Sequence, residues 1–231
     1  MTGTINDLLL AMLAFVGSHL LLSSLPVRTP LARGLGEGPF RLVYSAVAAV
    51  TLAGAVLAYN GAPYVELWSQ RPEHRWVPLL LLPVASVLLV AGLTTRSITT
   101  VGGERFAHGV QVARGIMTVT RHPFLWGVIL WAVGHVVANG DIASLLLFGG
   151  FAILAGVGMA HIDHRRATSL GSDWGPLALT SSVFPFVAAI QGRTRIDWAG
   201  IGWRRLVGGL ALYVVLLYLH APVIGFSALP Y

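Results

Sequence analysis

The sequence predicts an all-α membrane protein, a bundle of about six transmembrane helices with its N- and C-termini in the periplasm. Of its 231 residues, 55% are hydrophobic and only 10% are charged, whereas a soluble domain is about one quarter charged. The apolar residues fall into six runs of roughly 20 residues, the length that crosses a bilayer. Arginine is concentrated in alternate loops between these runs, which is the pattern of a multi-pass protein with a fixed orientation.

The six predicted spans follow one another without an internal repeat or a second domain, so residues 1–231 are predicted to form a single integral membrane domain. Pro123 stands at the first helical position of the fourth span, where its missing N–H is harmless. Asn139-Gly140-Asp141 predicts a tight turn into the fifth span. The first run lacks a basic leader and a small-residue cleavage site, which favours a membrane span over a cleaved signal peptide. The spans are Asp7–Leu25, Phe40–Asn60, Trp76–Leu93, Pro123–Ala138, Ala143–Ile162 and Leu206–Phe226.

The formal net charge of +6 comes from fifteen arginines and no lysine. All but two of these arginines lie in the loops after the first, third and fifth spans, which places those loops in the cytoplasm. The exceptions, Arg71 and Arg75, are offset by Glu66 and Glu73. Membrane topology therefore explains the charge, and we expect lipid contact and no nucleic-acid partner. The lack of lysine and cysteine excludes Schiff-base, disulfide and thiolate chemistry.

Apolar helices are not driven together by hydrophobicity inside lipid, so small residues are expected at their contacts. Ala152, Gly156 and Ala160 recur at every fourth position and predict a packing ridge on the fifth span. Two part-apolar segments, Val110–Val119 and Val183–Ile190, are too short to span and are expected at the membrane interface.

Two histidines, His19 and His135, lie inside predicted spans, where hydrogen-bonding side chains are costly and often functional. Gly127, Trp131 and Gly134 lie on or near the helical face of His135, and glycines beside an aromatic ring predict a flat recess. A planar macrocycle could enter that recess, with imidazole as an axial iron ligand. The alternative for either histidine is a hydrogen bond to a neighbouring helix. Because their helices run in opposite directions, His135 is expected about 9 Å higher in the membrane than His19, at ~1.5 Å per residue.

Arg121-His122-Pro123 begins the fourth span at the predicted cytoplasmic interface. An arginine beside a helix N-terminus favours an anion, such as a haem propionate, a lipid phosphate or a cofactor carboxylate. An ordinary interfacial arginine anchor is the alternative. At the end of the fifth span, His161, Asp163 and His164 give only a weak metal-ligand pattern, and a basic helix end is favoured there. No nucleophile or phosphate-binding motif is present, so no catalytic residue is predicted.

Several short motifs follow one another along the chain. They are Gly17-Ser18-His19, Arg121-His122-Pro123 with Gly127, Trp131-Ala132-Val133-Gly134-His135, Asn139-Gly140-Asp141, Leu147-Phe148-Gly149-Gly150-Phe151, Asp163 with Arg165-Arg166, and Thr180–Phe186 leading to Gly192-Arg193. In order and spacing, these motifs resemble the NnrU family of bacterial inner-membrane proteins. The resemblance covers about residues 5–200 and implies a multi-pass protein of that membrane, linked to denitrification and nitric oxide metabolism. The family includes the plant and cyanobacterial 15-cis-zeta-carotene isomerases.

The resemblance implies a b-type haem, because the isomerase branch holds one through two histidines and switches a ligand with a cysteine. By motif position, His19 matches the first histidine and His135 the second. Arg121 and His122 would then pair the propionates or another anionic group. The switching cysteine falls at Ala132, which departs from the isomerase pattern. A hydrophobic small molecule is the expected substrate, and the sequence indicates no particular protein partner.

A more distant resemblance links Arg121, His122, Pro123 and Gly127 to isoprenylcysteine carboxyl methyltransferases and related phospholipid methyltransferases. In those enzymes the motif and a later acidic pair line a pocket for S-adenosylmethionine, whereas this chain has the single acid Asp163 at that place. Three functions therefore stay open: a haem-dependent isomerase or redox enzyme, a membrane methyltransferase, and a non-catalytic accessory factor of nitrogen-oxide respiration.

Overall fold

The computed structural model describes residues 3–99 and 112–229, which are helical apart from turns, loops and one isolated β-bridge between Glu66 and Asp141. The prediction of an all-α membrane bundle is confirmed. Short 3-10 turns connect several of the helices. The helices are α1 (Ile5–Ser23), α2 (Leu25–Leu35), α3 (Glu37–Gly61), α4 (Trp76–Thr94), α5 (Pro123–Asn139), α6 (Ile142–Leu170), α7 (Trp174–Thr180), α8 (Val187–Ile190), α9 (Trp198–Ile201) and α10 (Trp203–Ile224).

Each of the six predicted spans coincides with a long helix. Helices α1, α3, α4, α6 and α10 are long and apolar enough to cross a membrane, while the apolar α5 is shorter at 17 residues. Gly140 ends α5 in the left-handed conformation (φ 67°), and the Asp141 side chain caps the start of α6. The orientation of the termini stays a prediction.

Two boundaries differ from the prediction. Helix α6 continues past Ile162 to Leu170, because no helix breaker occurs before Gly171. Helix α2 occupies a stretch that was expected to be a loop. Extended backbone at Ser24 ends α1, and a proline in the first turn starts α2 at once. This short helix brings Arg28 to Glu37 at the start of α3.

Glycine contacts hold α4 against its neighbours. A Cβ at Gly92 of α4 would lie 2.6 Å from the backbone nitrogen of Phe124 on α5, and a Cβ at Gly209 of α10 would collide with Val87 on α4. The predicted ridge on α6 holds only at Ala152, which packs against the core. Gly156 has no atom of another element within 4 Å of its Cβ position, and Ala160 is exposed. The buried side of α6 is the neighbouring one, with Phe148, Ala155 and Met159. A helix that is apolar all round gives no sequence signal for its packed side.

The segment before α10 is joined to the turn at Gly115–Thr118 by Asp197. Its carboxylate accepts hydrogen bonds from the backbone N–H of Gly115 and Gly200, each 2.8 Å long. The N–H groups of Gly115 and then of Gly200 hold the pKa of the Asp197 carboxyl below its usual value. Val110–Val119 lies partly outside the described residues, and its described part includes this buried turn. Val183–Ile190 ends in the short helix α8.

Candidate functional site

A cavity of about 710 Å³ opens among α1, α2, α3, α5 and α6. Apolar side chains line much of it, notably Phe15 of α1, Val128 of α5 and Phe151 with Leu154 of α6. Polar side chains come from the C-terminal ends of α1 and α6, from the N-terminal ends of α3 and α5, from α2, and from the segment after α4. The cavity therefore has an apolar interior and a polar mouth. The polar members of the lining are His19, Ser23, Arg28, Arg41, Tyr44, Thr99, His122, His161, Arg165 and Arg166.

His19 lies on the wall of this cavity. Its Nδ1 lies 2.9 Å from the carbonyl oxygen of Phe15, one helical turn earlier, and its ring packs edge-on against Phe15 and Tyr44. Because only a protonated Nδ1 can donate to a carbonyl, the neutral ring carries its lone pair on Nε2. This is the tautomer in which a histidine binds a metal while a backbone carbonyl fixes the ring.

His135 shares that local arrangement but lies elsewhere. Its Nδ1 is 2.8 Å from the carbonyl oxygen of Trp131, its ring stacks on Phe148 at 4.8 Å, and the ring of His220 is 6.5 Å away. His135 is not among the residues that line the cavity. The structure therefore brings His19 to the cavity and His135 to a separate aromatic environment.

A row of aromatic rings connects the two histidines. Phe15, which contacts His19, lies 5.3 Å from Phe151, and Phe151 lies 5.4 Å from Trp131, which contacts His135. Gly150, next to Phe151, lets Met12 of α1 approach α6 closely at the same level. The row is thus part of the packing among α1, α5 and α6.

Arg121 and His122, at the start of α5, both bind Asp163 of α6. The Nε and Nη2 atoms of Arg121 lie 2.8 and 2.7 Å from Oδ2, and Nε2 of His122 lies 2.8 Å from Oδ1. In the structure, the anionic partner of this pair is therefore a carboxylate of the same chain. An external propionate on Arg121 stays a prediction.

The side chain of His122 is completely buried, and it lines the cavity. Its Nδ1 atom has no hydrogen-bond partner among the described residues. Buried polar atoms are nearly always paired in proteins, so this nitrogen is an exception at the start of α5.

Four arginines that the sequence analysis did not predict as site residues line the cavity: Arg28, Arg41, Arg165 and Arg166. Arg28 lies 2.8 Å from Glu37, which also lies 3.7 Å from Arg41. Arg28 reaches the mouth because it stands on α2, the helix that was not predicted. Arg165 and Arg166 were part of a motif of the family resemblance, but nothing in the sequence indicated which helices they face.

No group of three or more histidine, cysteine, aspartate or glutamate side chains is placed to hold a metal ion within residues 3–99 and 112–229. Asp163 is engaged by Arg121 and His122, and Nδ1 of His161 lies 3.5 Å from Oγ of Ser23. The favoured interpretation of this stretch as a basic helix end is wrong, because α6 continues to Leu170 and its last turn carries no basic residue.

Comparison with known proteins places this chain in a family. The model of the NnrU protein family matches residues 7–228. A chloroplastic 15-cis-zeta-carotene isomerase of Arabidopsis thaliana is 33% identical over 79 residues, which are 34% of this chain and 22% of that protein. That of Zea mays is 30% identical over 82 residues, which are 36% of this chain and 22% of that protein. The matched region thus spans about a fifth of these relatives. No solved structure matches the chain significantly. The chain belongs to the NnrU family.

Proposed function

We propose that this multi-pass membrane protein binds a b-type haem through His19 and His135 and uses it in redox or isomerase-like chemistry on a hydrophobic substrate. The observation that carries the proposal is the position of His19, on the wall of a cavity whose interior is apolar. Its volume of about 710 Å³ lies within the ~300–1,000 Å³ range of small-molecule sites. We place the protein in a bacterial inner membrane, on the family resemblance and the arginine distribution.

The donor chemistry of both histidines fits axial iron ligation. The Nδ1 atom of each ring donates to a backbone carbonyl one turn earlier, which orients the ring and leaves Nε2 for a metal. Neutral ligands suit a site inside lipid, because burying a charge there is costly. The position of His19 suits haem binding in the cavity, whereas His135 does not line the cavity. Joint ligation of one iron therefore requires His135 to reach the cavity when haem binds.

The bound haem would supply a one-electron redox centre inside the membrane. The protein would hold it at His19, surround it with Phe15, Phe151 and Leu154, and exclude water through these apolar walls. The cysteine-dependent ligand switch does not carry over, because Ala132 is fully buried and offers no sulfur.

For the substrate we propose an apolar molecule that enters from the lipid. The curated relatives are carotene isomerases by name, and an apolar interior suits a molecule of that class. The role in nitrogen-oxide metabolism rests on the family resemblance alone. A methyltransferase is favoured less, because the one acid that corresponds to its acidic pair, Asp163, binds Arg121 and His122.

The proposal is tested by the absorption spectrum of the detergent-purified protein, oxidised and then reduced with dithionite. We expect a Soret band that sharpens on reduction into low-spin b-type bands and that is lost in the His19→Ala/His135→Ala double variant. A colourless protein after expression with ample haem would refute haem binding. Isothermal titration with S-adenosylmethionine would then separate a methyltransferase from an accessory factor.

A further inference from the structure

The segment Val183–Ile190 presents large apolar side chains outwards. Phe184, Phe186 and Ile190 are 64%, 47% and 81% exposed, and no residue of the segment is charged. Apolar side chains that an ordered segment leaves uncovered mark a contact with a membrane or with another protein. A contact outside the chain therefore has to account for these three side chains.

The backbone of the segment, by contrast, is paired inside the protein. The carbonyl oxygen of Val183 accepts hydrogen bonds from Oγ1 of Thr120 at 2.7 Å and from Nε1 of Trp126 at 2.8 Å. The hydroxyl of Ser182 donates to the carbonyl oxygen of Phe184 at 2.8 Å. At membrane depth, a non-helical chain needs its polar groups satisfied by the protein, because no water is present to bind them. Paired backbone with apolar side chains outside is the arrangement that suits lipid.

The contacts with Trp126 fix the depth of the segment. Trp126 is in the first turn of α5; its indole N–H binds Val183, and its ring lies 5.9 Å from the ring of Phe184. Helix α5 has 17 residues and is about 25 Å long at ~1.5 Å per residue, whereas the hydrocarbon core is about 30 Å thick. The other end of α5 meets the polar turn Asn139-Gly140-Asp141, which suits the opposite membrane surface. The first turn of α5, with Val183 and Phe184 beside it, therefore lies within the hydrocarbon.

The backbone of Phe186 provides an independent indication. Its φ of 66° is the only positive φ of a non-glycine residue within residues 3–99 and 112–229. Glycine is the usual residue in this conformation, because a Cβ is strained there. The N–H of Phe186 donates to the carbonyl oxygen of Val119 at 2.8 Å, which holds the backbone in place, while the side chain is half exposed. Core packing thus does not account for a phenylalanine at this position, and a contact of its ring outside the chain does.

We propose that Val183–Ile190 re-enters the membrane leaflet at the N-terminal end of α5, where Phe184, Phe186 and Ile190 contact lipid acyl chains. Acyl chains suit a surface without charge that continues into the membrane beside α5. By the predicted topology, this leaflet is the cytoplasmic one. The sequence indicated the membrane interface for this segment, and the contacts with Trp126 carry it one turn deeper. The inference concerns a surface away from the cavity and does not depend on haem.

The test uses the natural absence of cysteine from the chain. Single Phe184→Cys and Ile190→Cys variants of the full-length protein carry a nitroxide spin label in vesicles of phosphatidylcholine and phosphatidylglycerol. Electron paramagnetic resonance then measures the accessibility of each label to oxygen, which partitions into hydrocarbon, and to a nickel chelate, which stays in water. The controls are Ser172→Cys, exposed in the turn before α7, and Leu210→Cys, exposed on the span α10. We expect the oxygen-to-nickel ratio at both test positions to match that of Leu210→Cys and to exceed that of Ser172→Cys several-fold.

The other outcomes contradict the inference in different ways. A ratio at either test position as low as that of Ser172→Cys would overturn it, because the side chain would then face water. Protection from both reagents would also overturn it, because a protein surface such as a second copy of the chain would then cover the segment. Both replaced side chains are exposed, so neither variant removes core packing, and gel filtration checks that each is folded. Because the measurement needs no haem, a colourless protein that shows the lipid pattern would refute the haem proposal alone.

Discussion

Replacing Asp163 with alanine should destabilise the protein more than any exposed charge substitution. Three short contacts meet on this carboxylate, and the side chains of Arg121, His122 and Asp163 are only 14%, 0% and 17% exposed. Removing one partner of a buried ion pair costs about 3–5 kcal/mol, because the other charge is left buried without compensation. The partial exposure of Arg121 places the expected loss in the free energy of unfolding at the lower end, about 3 kcal/mol.

The assay is reversible unfolding in mixed micelles of a neutral detergent and SDS, followed by circular dichroism at increasing SDS fraction. The matched control is Glu37→Ala, which removes a carboxylate that also contacts two arginines but is 53% exposed. The expected loss for this exposed pair is about 1 kcal/mol or less. Asp163→Asn should be intermediate, because an amide oxygen still accepts a hydrogen bond. If Asp163→Ala and Glu37→Ala lower the free energy of unfolding equally, the conclusion that the buried Asp163 contacts stabilise the packing of α5 on α6 is refuted.

Three further predictions concern packing, pH and topology. Gly92→Ala should lower the free energy of unfolding by about 1–3 kcal/mol, because the new Cβ meets the backbone of α5 at 2.6 Å. The control Gly156→Ala, on the open side of α6, should leave the free energy of unfolding unchanged or slightly raised in the same SDS titration. The depressed pKa of Asp197 means that its contribution to stability is present above about pH 5 and falls as the pH drops through and below the ordinary aspartate value of about 3.9. The Asp197→Asn variant should lack this component in thermal unfolding between pH 3 and 7, and an identical acid slope in both proteins would contradict the assignment. Because the chain has no natural cysteine, Ser69→Cys and Ser172→Cys can be labelled singly in intact cells; an impermeant maleimide should react with the first and not the second, and the reverse result would invert the topology.

The helices that cross the membrane could be predicted because span length and apolar content are local properties of the sequence. The start of α5 at Pro123 and its end at Gly140 were both predicted correctly, because each residue sets a helix boundary through its own backbone conformation. The His19 and His135 candidates also came from a local argument, the cost of a polar group in lipid. The structure adds the carbonyl partner of each ring.

The faces of the helices could not be predicted, because a span that is apolar on every side has no polar face to mark its exterior. The ridge expected at Gly156 is on the open side of α6, and the close approaches occur at Gly92 and Gly209 instead. Asp163 is 42 residues from Arg121, and only tertiary packing brings the two together. The cavity lining includes Arg28 of α2, a helix whose mixed composition resembles that of a loop.

The most direct test of the central claim is the haem spectrum of three single variants, His19→Ala, His135→Ala and His220→Ala. His220 serves as the control, because its ring lies 6.5 Å from that of His135 and it does not line the cavity. The account predicts that wild type and His220→Ala share the low-spin b-type spectrum, that His19→Ala loses haem, and that His135→Ala loses haem or becomes high-spin. A wild-type spectrum in His19→Ala, or a colourless wild-type protein, would contradict it.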